Sequence, residues 1–175
     1  MKNNDSAIFT RRSIRAYEAS KKATKEQIED LLNAGMHAPS AMNKQPWEFV
    51  VATDADAISS IMEAHPYCES LKDAGTAIIV CGDLDKQFQT QDGGYYAYDC
   101  SAVTQNILLR AKELGLGTCW CGIAPEKERI VEMQKALGIP KNVEPMSLII
   151  VGTPAENPIL EEPRYDEKKV HWQKW

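Results

Sequence analysis

No apolar run in this 175-residue chain approaches the roughly 20 residues a bilayer-spanning helix needs. The opening MKNNDSAIFTRRS also lacks the apolar stretch of a secretory signal. The expectation is a cytoplasmic protein with no membrane partner. Positive charge is scarce: 20 Lys and Arg stand against 25 Asp and Glu, a formal net charge of −5. That balance argues against a general nucleic-acid binder while leaving room for a local basic pocket. The five cysteines (Cys68, Cys81, Cys100, Cys119 and Cys121) include no CxxC pair and no Cys/His cluster at zinc spacing. Their odd number reads as buried, reduced thiols in a reducing compartment. Cys119 and Cys121 flank Trp120 and would share one face of a strand, so a redox-active thiol pair stays open as an alternative. Neither GxGxxG nor a phosphate-binding P-loop occurs, which leaves a dedicated dinucleotide domain unsupported. There is no Ser/His/Asp or Cys/His triad. His37, His65 and His171 have no metal spacing and read as structural.

What is present fits one α+β domain over residues 1–175, with a terminal arm from about residue 153. Hydrophobic residues at 43% and charged residues at 26% can support a sizeable core. Thr24 and Gln27 form a capping-box pattern, and Ile28, Leu31, Leu32, Gly35 and Met36 follow at amphipathic spacing, so a helix is expected up to Pro39. Glu48 to Ala52 reads as a strand, Ala55 to Ala64 as a helix and Thr76 to Cys81 as a buried strand. A long helix is expected from Tyr98 to Leu114, with Ala102, Val103, Asn106, Leu109 and Ala111 facing inward and Gly115 and Gly117 ending it. A short strand at Thr118 to Cys121, a helix from Pro125 to Leu137 and a strand at Ser147 to Val151 complete a central sheet flanked by helices. Beyond Gly152 the chain is interrupted by Pro154, Pro158 and Pro163 and ends HWQKW. Two tryptophans in a polar tail need an apolar surface, either their own domain or a partner subunit.

Four segments can carry chemistry. In Arg11-Arg12-Ser13-Ile14-Arg15, an extended backbone would send side chains 11, 13 and 15 to one side, where forked guanidinium donors and a hydroxyl suit a phosphate dianion; a solvated basic stretch is the alternative. In the loop Pro39-Ser40-Ala41-Met42-Asn43-Lys44-Gln45-Pro46-Trp47, two prolines stiffen a run whose amides offer both donors and acceptors to a heterocycle edge. The loop could equally be structural, and Trp47 reads as core packing. Gly115 to Gly122 (GLGTCWCG) allows close approach of backbone to a ligand, or simply punctuates helix and strand. Arg164, among acidic residues, is by itself a surface ion pair.

Taken in order, RRSIRAY, APSAMNKQPWEFVV, CSAVTQNILLRAKELGLGTCWCG and IIVGTPAENP…PRYDEKKVHW make the chain resemble the nitroreductase-like FMN-dependent flavoproteins over nearly its whole length. The resemblance implies a homodimer with exchanged C-terminal arms and two interfacial FMN sites. It places Arg11, Ser13 and Arg15 on the FMN, with Arg12 as a phosphate neighbour and Arg15 near N1 and the C2 carbonyl, where it would tune the flavin. Pro39, Ser40, Asn43 and Gln45 belong to the block that the second subunit contributes. Cys121 and Gly122 match the loop facing the isoalloxazine and its N5 edge, and Arg164 matches the C-terminal residue that reaches the phosphate. Segments 65–73 and 87–94 match no family motif and are expected to shape the substrate pocket. The implied activity is ping-pong transfer of electron pairs from NADH or NADPH to a small-molecule acceptor such as a nitroaromatic, quinone or flavin, with no side chain acting as acid or base. Alternatives are a dehalogenase or flavin-modifying enzyme of the same fold, and a non-catalytic flavin-binding protein.

Overall fold

The computed structural model describes residues 6–158 and 164–175. A single helical turn, α1 (Ala7–Thr10), precedes the arginine segment. The reciprocal cap expected at Thr24 forms: its hydroxyl accepts the Gln27 N–H at 3.3 Å, and the Gln27 side chain accepts the Thr24 N–H at 2.9 Å. Helix α2 (Lys25–Met36) follows and buries Ile28, Leu31 and Gly35, while Met36, at its last position, stays exposed. After a 3-10 turn at Ala41–Asn43 come β1 (Trp47–Ala52), α3 (Ala55–Ala64), the short α4 (Leu71–Ala74) and β2 (Ala77–Asp83). A minimal hairpin, β3 (Gln89–Thr90) and β4 (Gly93–Gly94), leads into α5 (Tyr96–Glu113). Then follow β5 (Gly117–Gly122), α6 (Lys127–Leu137), β6 (Val143–Gly152) and a 3-10 turn at Glu167–Lys169.

The four long strands form one antiparallel sheet in the order β1-β2-β6-β5. Alternation along β2 explains why it is buried throughout. Ile78 and Val80 face Ile28, Leu31, Val103 and Ile107 of α2 and α5, whereas Ala77, Ile79 and Cys81 face Ile61, Leu71 and Met133 of α3, α4 and α6. In β6, Ile149 and Val151 join the first group and Leu148 and Ile150 the second. The result is three layers, helix–sheet–helix, and Trp47 lies in the core as expected. A register shift between Val80 and Cys81 leaves Met146 unpaired, and its carbonyl accepts the N–H groups of Ile123 and Ala124 at 3.1 Å. This bulge ties down the chain just beyond the end of β5.

Two local expectations need correction. Helix α5 buries Cys100, Val103, Thr104, Ile107, Leu108 and Ala111, while Ala102, Asn106 and Leu109 are half-buried. The helix lies between the sheet and α2, so its buried stripe is wider than one amphipathic face, and Asn106 uses its amide to reach the Ala34 carbonyl of α2 at 3.1 Å. Gly117 begins β5 rather than ending the helix; only Gly115, at φ 74°, adopts the left-handed conformation there.

The two ends of the chain are laced together beside β5. Ile14 donates its N–H to Thr118 at 2.9 Å, Ser13 bridges Thr118, and Tyr17 bridges Pro154. One Glu156 carboxylate oxygen accepts the N–H groups of Arg15 (2.9 Å) and Ala16 (3.3 Å). Pro163, expected to interrupt the tail, lies outside the described residues. Among the described residues no helix is long and apolar enough to cross a membrane.

Candidate functional site

The lacing aligns the arginine segment along the open side of β5. Ile14 and Tyr17 turn into the core, so Ser13 and Arg15 face outward together; Arg11, expected on the same side, instead shares a cleft with Arg12 that neither Ser13 nor Arg15 lines. Arg11 sits at the end of α1, half-buried, in a cleft of about 80 Å³ whose walls include Arg12, Lys112, Gly117 and Asn157. Its guanidinium is harder to keep charged than usual, first because it is partly buried and then because Arg12 and Arg164 stand near it. The charge of Arg164, far along the chain, thus acts on Arg11. Arg12 donates Nη1 to the Phe9 and Arg11 carbonyls at 3.0 and 2.8 Å, yet its Nε is buried with no hydrogen-bond partner among the described residues. Crowded, partly desolvated cations with an orphaned donor are unfavourable on their own and favourable around an anion. The cleft matches a phosphoryl group in scale; it does not hold a three-ring flavin.

The amide loop is a separate surface. Pro39 is exposed and Ser40 half-buried; the Ser40 hydroxyl accepts the Gln45 N–H at 2.9 Å, and Asn43 accepts the Gln45 side-chain amide at 3.1 Å. Met42, Asn43 and Gln45 all have positive φ, at 51°, 53° and 48°, a concentration of left-handed non-glycine residues that carries a conformational cost. Asp99, buried near the start of α5, accepts the Ala41 N–H at 2.9 Å and holds the turn in place. The arginine cleft lies at the other end of α5, lined by Lys112 and Gly115. At about 1.5 Å per residue, Asp99 and Lys112 are about 20 Å apart along the helix. Within one protomer, loop and cleft are brought together by no hydrogen bond or ion pair among the described residues.

The glycines of the third segment divide by cause. Gly115 has its left-handed φ, and a Cβ on Gly117 would stand 2.9 Å from the Ile14 side chain, so both are required internally. Gly122 is different: it has no positive φ, is exposed, and a Cβ there would meet nothing nearer than the Ala124 carbonyl at 3.9 Å. Its own fold does not demand glycine. Replacing Gly122 with alanine should therefore leave the apoprotein as stable as the parent or more stable by about 0.4–1 kcal/mol, because alanine lowers unfolded-chain entropy. If a cofactor packs on this backbone, FMN affinity should fall at the same time, by about tenfold or more. Urea melts and FMN titration of the same protein read the two effects, and unchanged FMN affinity would remove Gly122 from the site.

Cys121 is buried beside it and donates its thiol to the Tyr67 carbonyl at 3.5 Å. All five cysteines are free and buried. The neighbouring Cys121 side chain brings the Cys119 thiol down to about 7 despite burial, with Arg15 and Arg11 adding to the effect, and Cys119 in turn pushes Cys121 upward. Both thiols lie inside the core, with Cys119 4% and Cys121 7% exposed.

At the end of β5, sequence reasoning passed over Arg129; His65, read there as structural, and Tyr67 lie in the 65–73 segment expected to shape the substrate pocket. The Gly122 carbonyl oxygen accepts Arg129 Nη1 at 2.6 Å and His65 Nε2 at 3.0 Å. Because His65 Nδ1 accepts the Tyr67 N–H at 3.2 Å, the proton belongs on Nε2, and burial lowers the ring's affinity for a second one. The Arg129 guanidinium lies 5.6 Å from the centre of the Tyr67 ring, which is 75% exposed. The one available signal was Arg129 itself, a cation in the first turn of α6, where the helix dipole disfavours it. No group of three or more metal-ligating side chains occurs among the described residues.

Comparison with known proteins gives the family. The model of the "Nitroreductase family" matches residues 8–65 and 55–153. A protein of Methanothermobacter thermautotrophicus named "Putative NADH dehydrogenase/NAD(P)H nitroreductase" is 41% identical over 97% of this chain and 86% of its own length. A crystal structure of a protein with the same name, from Bacteroides thetaiotaomicron, is also 41% identical and superposes with a TM-score of 0.88 over 97% of this chain and 96% of that one. The structure of an FMN-dependent nitroreductase from Clostridium difficile is 26% identical, with a TM-score of 0.86 over 97% and 99%. The chain belongs to the nitroreductase family.

Proposed function

We propose that the protein is an FMN-dependent NAD(P)H oxidoreductase that works as a homodimer. It would pass electron pairs by a ping-pong route to small acceptors such as nitroaromatics, quinones or flavins. The observation that carries this reading is Arg11 and Arg12 side by side in one cleft, with the charge of Arg164 acting on Arg11 and a buried Arg12 donor left without a partner among the described residues. The names of the relatives point the same way. When bound, FMN supplies the two-electron chemistry, and the chain supplies position and electrostatics.

In this reading Arg11, Arg12 and Arg164 hold the phosphate, and Ser13 and Arg15 face the flavin beside β5. Arg15 favours negative charge near N1, and Cys121 and Gly122 present backbone to the ring. The roughly 20 Å between the cleft and the Pro39–Gln45 loop, set by the length of α5, supports a pocket built by two protomers, with Ser40, Asn43 and Gln45 supplied by the second. Apolar side chains left exposed in the protomer, including Ile8, Phe9, Met42, Trp172 and Trp175, support the same arrangement. The tail tryptophans find no cover on their own domain.

The visible spectrum of the purified protein, before and after anaerobic NADH or NADPH, is the test. A yellow protein whose flavin bleaches with either donor and recolours with a quinone is expected. A colourless protein that ignores added FMN refutes the reading, and a yellow one that does not bleach makes it a binding protein without turnover.

A further inference from the structure

Arg129 is a cation placed where nothing in the chain calls for one. It stands in the first turn of α6, and its Nη1 meets a neutral backbone oxygen at 2.6 Å. No ion pair joins it to a carboxylate among the described residues, although Glu126 and Glu128 are close in sequence. The oxygen it meets belongs to Gly122, the one glycine of the β5 segment whose open side its own fold leaves unfilled. His65 holds the same oxygen from the other element and is itself 2% exposed. The contacts close into a ring: Arg129 to Gly122, Gly122 to His65, His65 to Tyr67, and Tyr67 back to Arg129 through its ring face. The thiol of Cys121 adds a further stitch to Tyr67.

We propose that Arg129 is a positioning residue of the redox centre, which fixes the Gly122 backbone against the cofactor and sets a positive charge beside it that favours the electron-rich form of FMN. The inference rests on the FMN reading above. Two donors from different elements on one carbonyl restrict the peptide more than either does alone. The guanidinium is planar and forked, so it can bond the oxygen and lie against Tyr67 together, which a lysine ammonium cannot do. A cation with no carboxylate paired to it among the described residues projects its charge into whatever binds over Gly122, and charge added to that ligand on reduction is stabilised in proportion. Tyr67, mostly exposed but held from both sides, becomes a fixed wall of the same pocket.

The test compares the affinity of the protein for oxidised FMN and for dithionite-reduced FMN, under argon, in the parent and in Arg129→Met and Arg129→Lys. In Arg129→Met the ratio of reduced to oxidised affinity should fall by about tenfold, which for a two-electron couple corresponds to about 30 mV. Arg129→Lys keeps the charge and should stay within about threefold of the parent ratio. Melting of the three apoproteins separates this from lost folding, since a bracing role alone would weaken both forms of FMN equally. An equal loss of both forms, an unchanged ratio in Arg129→Met, or a lysine protein as deficient as the methionine one overturns the proposal. A parent protein that binds neither form overturns the FMN reading with it; a parent that binds both, with variants indifferent in their ratio, leaves that reading standing.

Discussion

Arg11→Ala should bind FMN roughly 10- to 100-fold more weakly than the parent while its apoprotein is no less stable. The two effects have opposite signs for one reason. In the empty protein the Arg11 guanidinium is half-buried and repelled by Arg12 and Arg164, so its charge is held at a cost. With a phosphate dianion in the cleft the same crowding becomes convergent donation, and a hydrogen bond to a charged group contributes about 1.5–3 kcal/mol. Deleting the side chain removes the cost from one state and the benefit from the other. Arg11→Lys should fall between, since a lysine keeps the charge and loses the fork. Calorimetric titration with FMN, repeated in competing inorganic phosphate, reads the first effect, and urea melts of apoprotein read the second. An alanine variant that binds FMN as the parent does would show that the phosphate lies elsewhere.

A Trp172→Ser/Trp175→Ser double variant should turn the proposed dimer into a monomer at micromolar concentration. Trp172 is 77% exposed and Trp175 fully exposed, with the His171 ring stacked on Trp175 at 4.0 Å between centroids. A large aromatic side chain buries about 150–250 Å² when covered, and at about 25 cal/mol per Å² this amounts to roughly 4–6 kcal/mol per ring as an upper bound. Even half of that, counted twice per dimer, changes an association constant by several orders of magnitude. Sedimentation equilibrium measures the outcome directly. FMN content should fall with it, because Ser40, Asn43 and Gln45 would then be lost to the neighbouring cleft. A double variant as dimeric as the parent would mean that the tail does not clasp a second subunit.

How far the sequence spoke depended on the distance over which each cause acts. The cap at Thr24 was legible because its partner, Gln27, is three residues away and both bonds are local. The buried strand β2 was legible because an unbroken apolar run must be covered on both faces. On α5, Ala102 and Asn106 turn inward only in part and Leu109 is outside the core clusters, since which stripe is covered depends on α2 and the sheet together. In the candidate site, Arg11, Ser13, Arg15, the amide loop and Gly122 could be picked out as unusual runs. The closure of His65 and Arg129 on the Gly122 carbonyl could not, because His65 is 57 residues away in sequence and neither residue belongs to a run that stands out.

The sequence by itself determined the family, the helices and strands whose signals are periodic, and the list of residues able to meet a phosphate or a flavin edge. Only the tertiary structure decided that the charge of Arg164 acts on Arg11, that the amide loop lies at the opposite end of α5 from the arginines, and that Gly122 is open where Gly117 is crowded. Periodicity and capping are settled by neighbours within a few residues. Proximity across the sheet is settled by strand order β1-β2-β6-β5, and that order comes from burying both faces of one sheet at once.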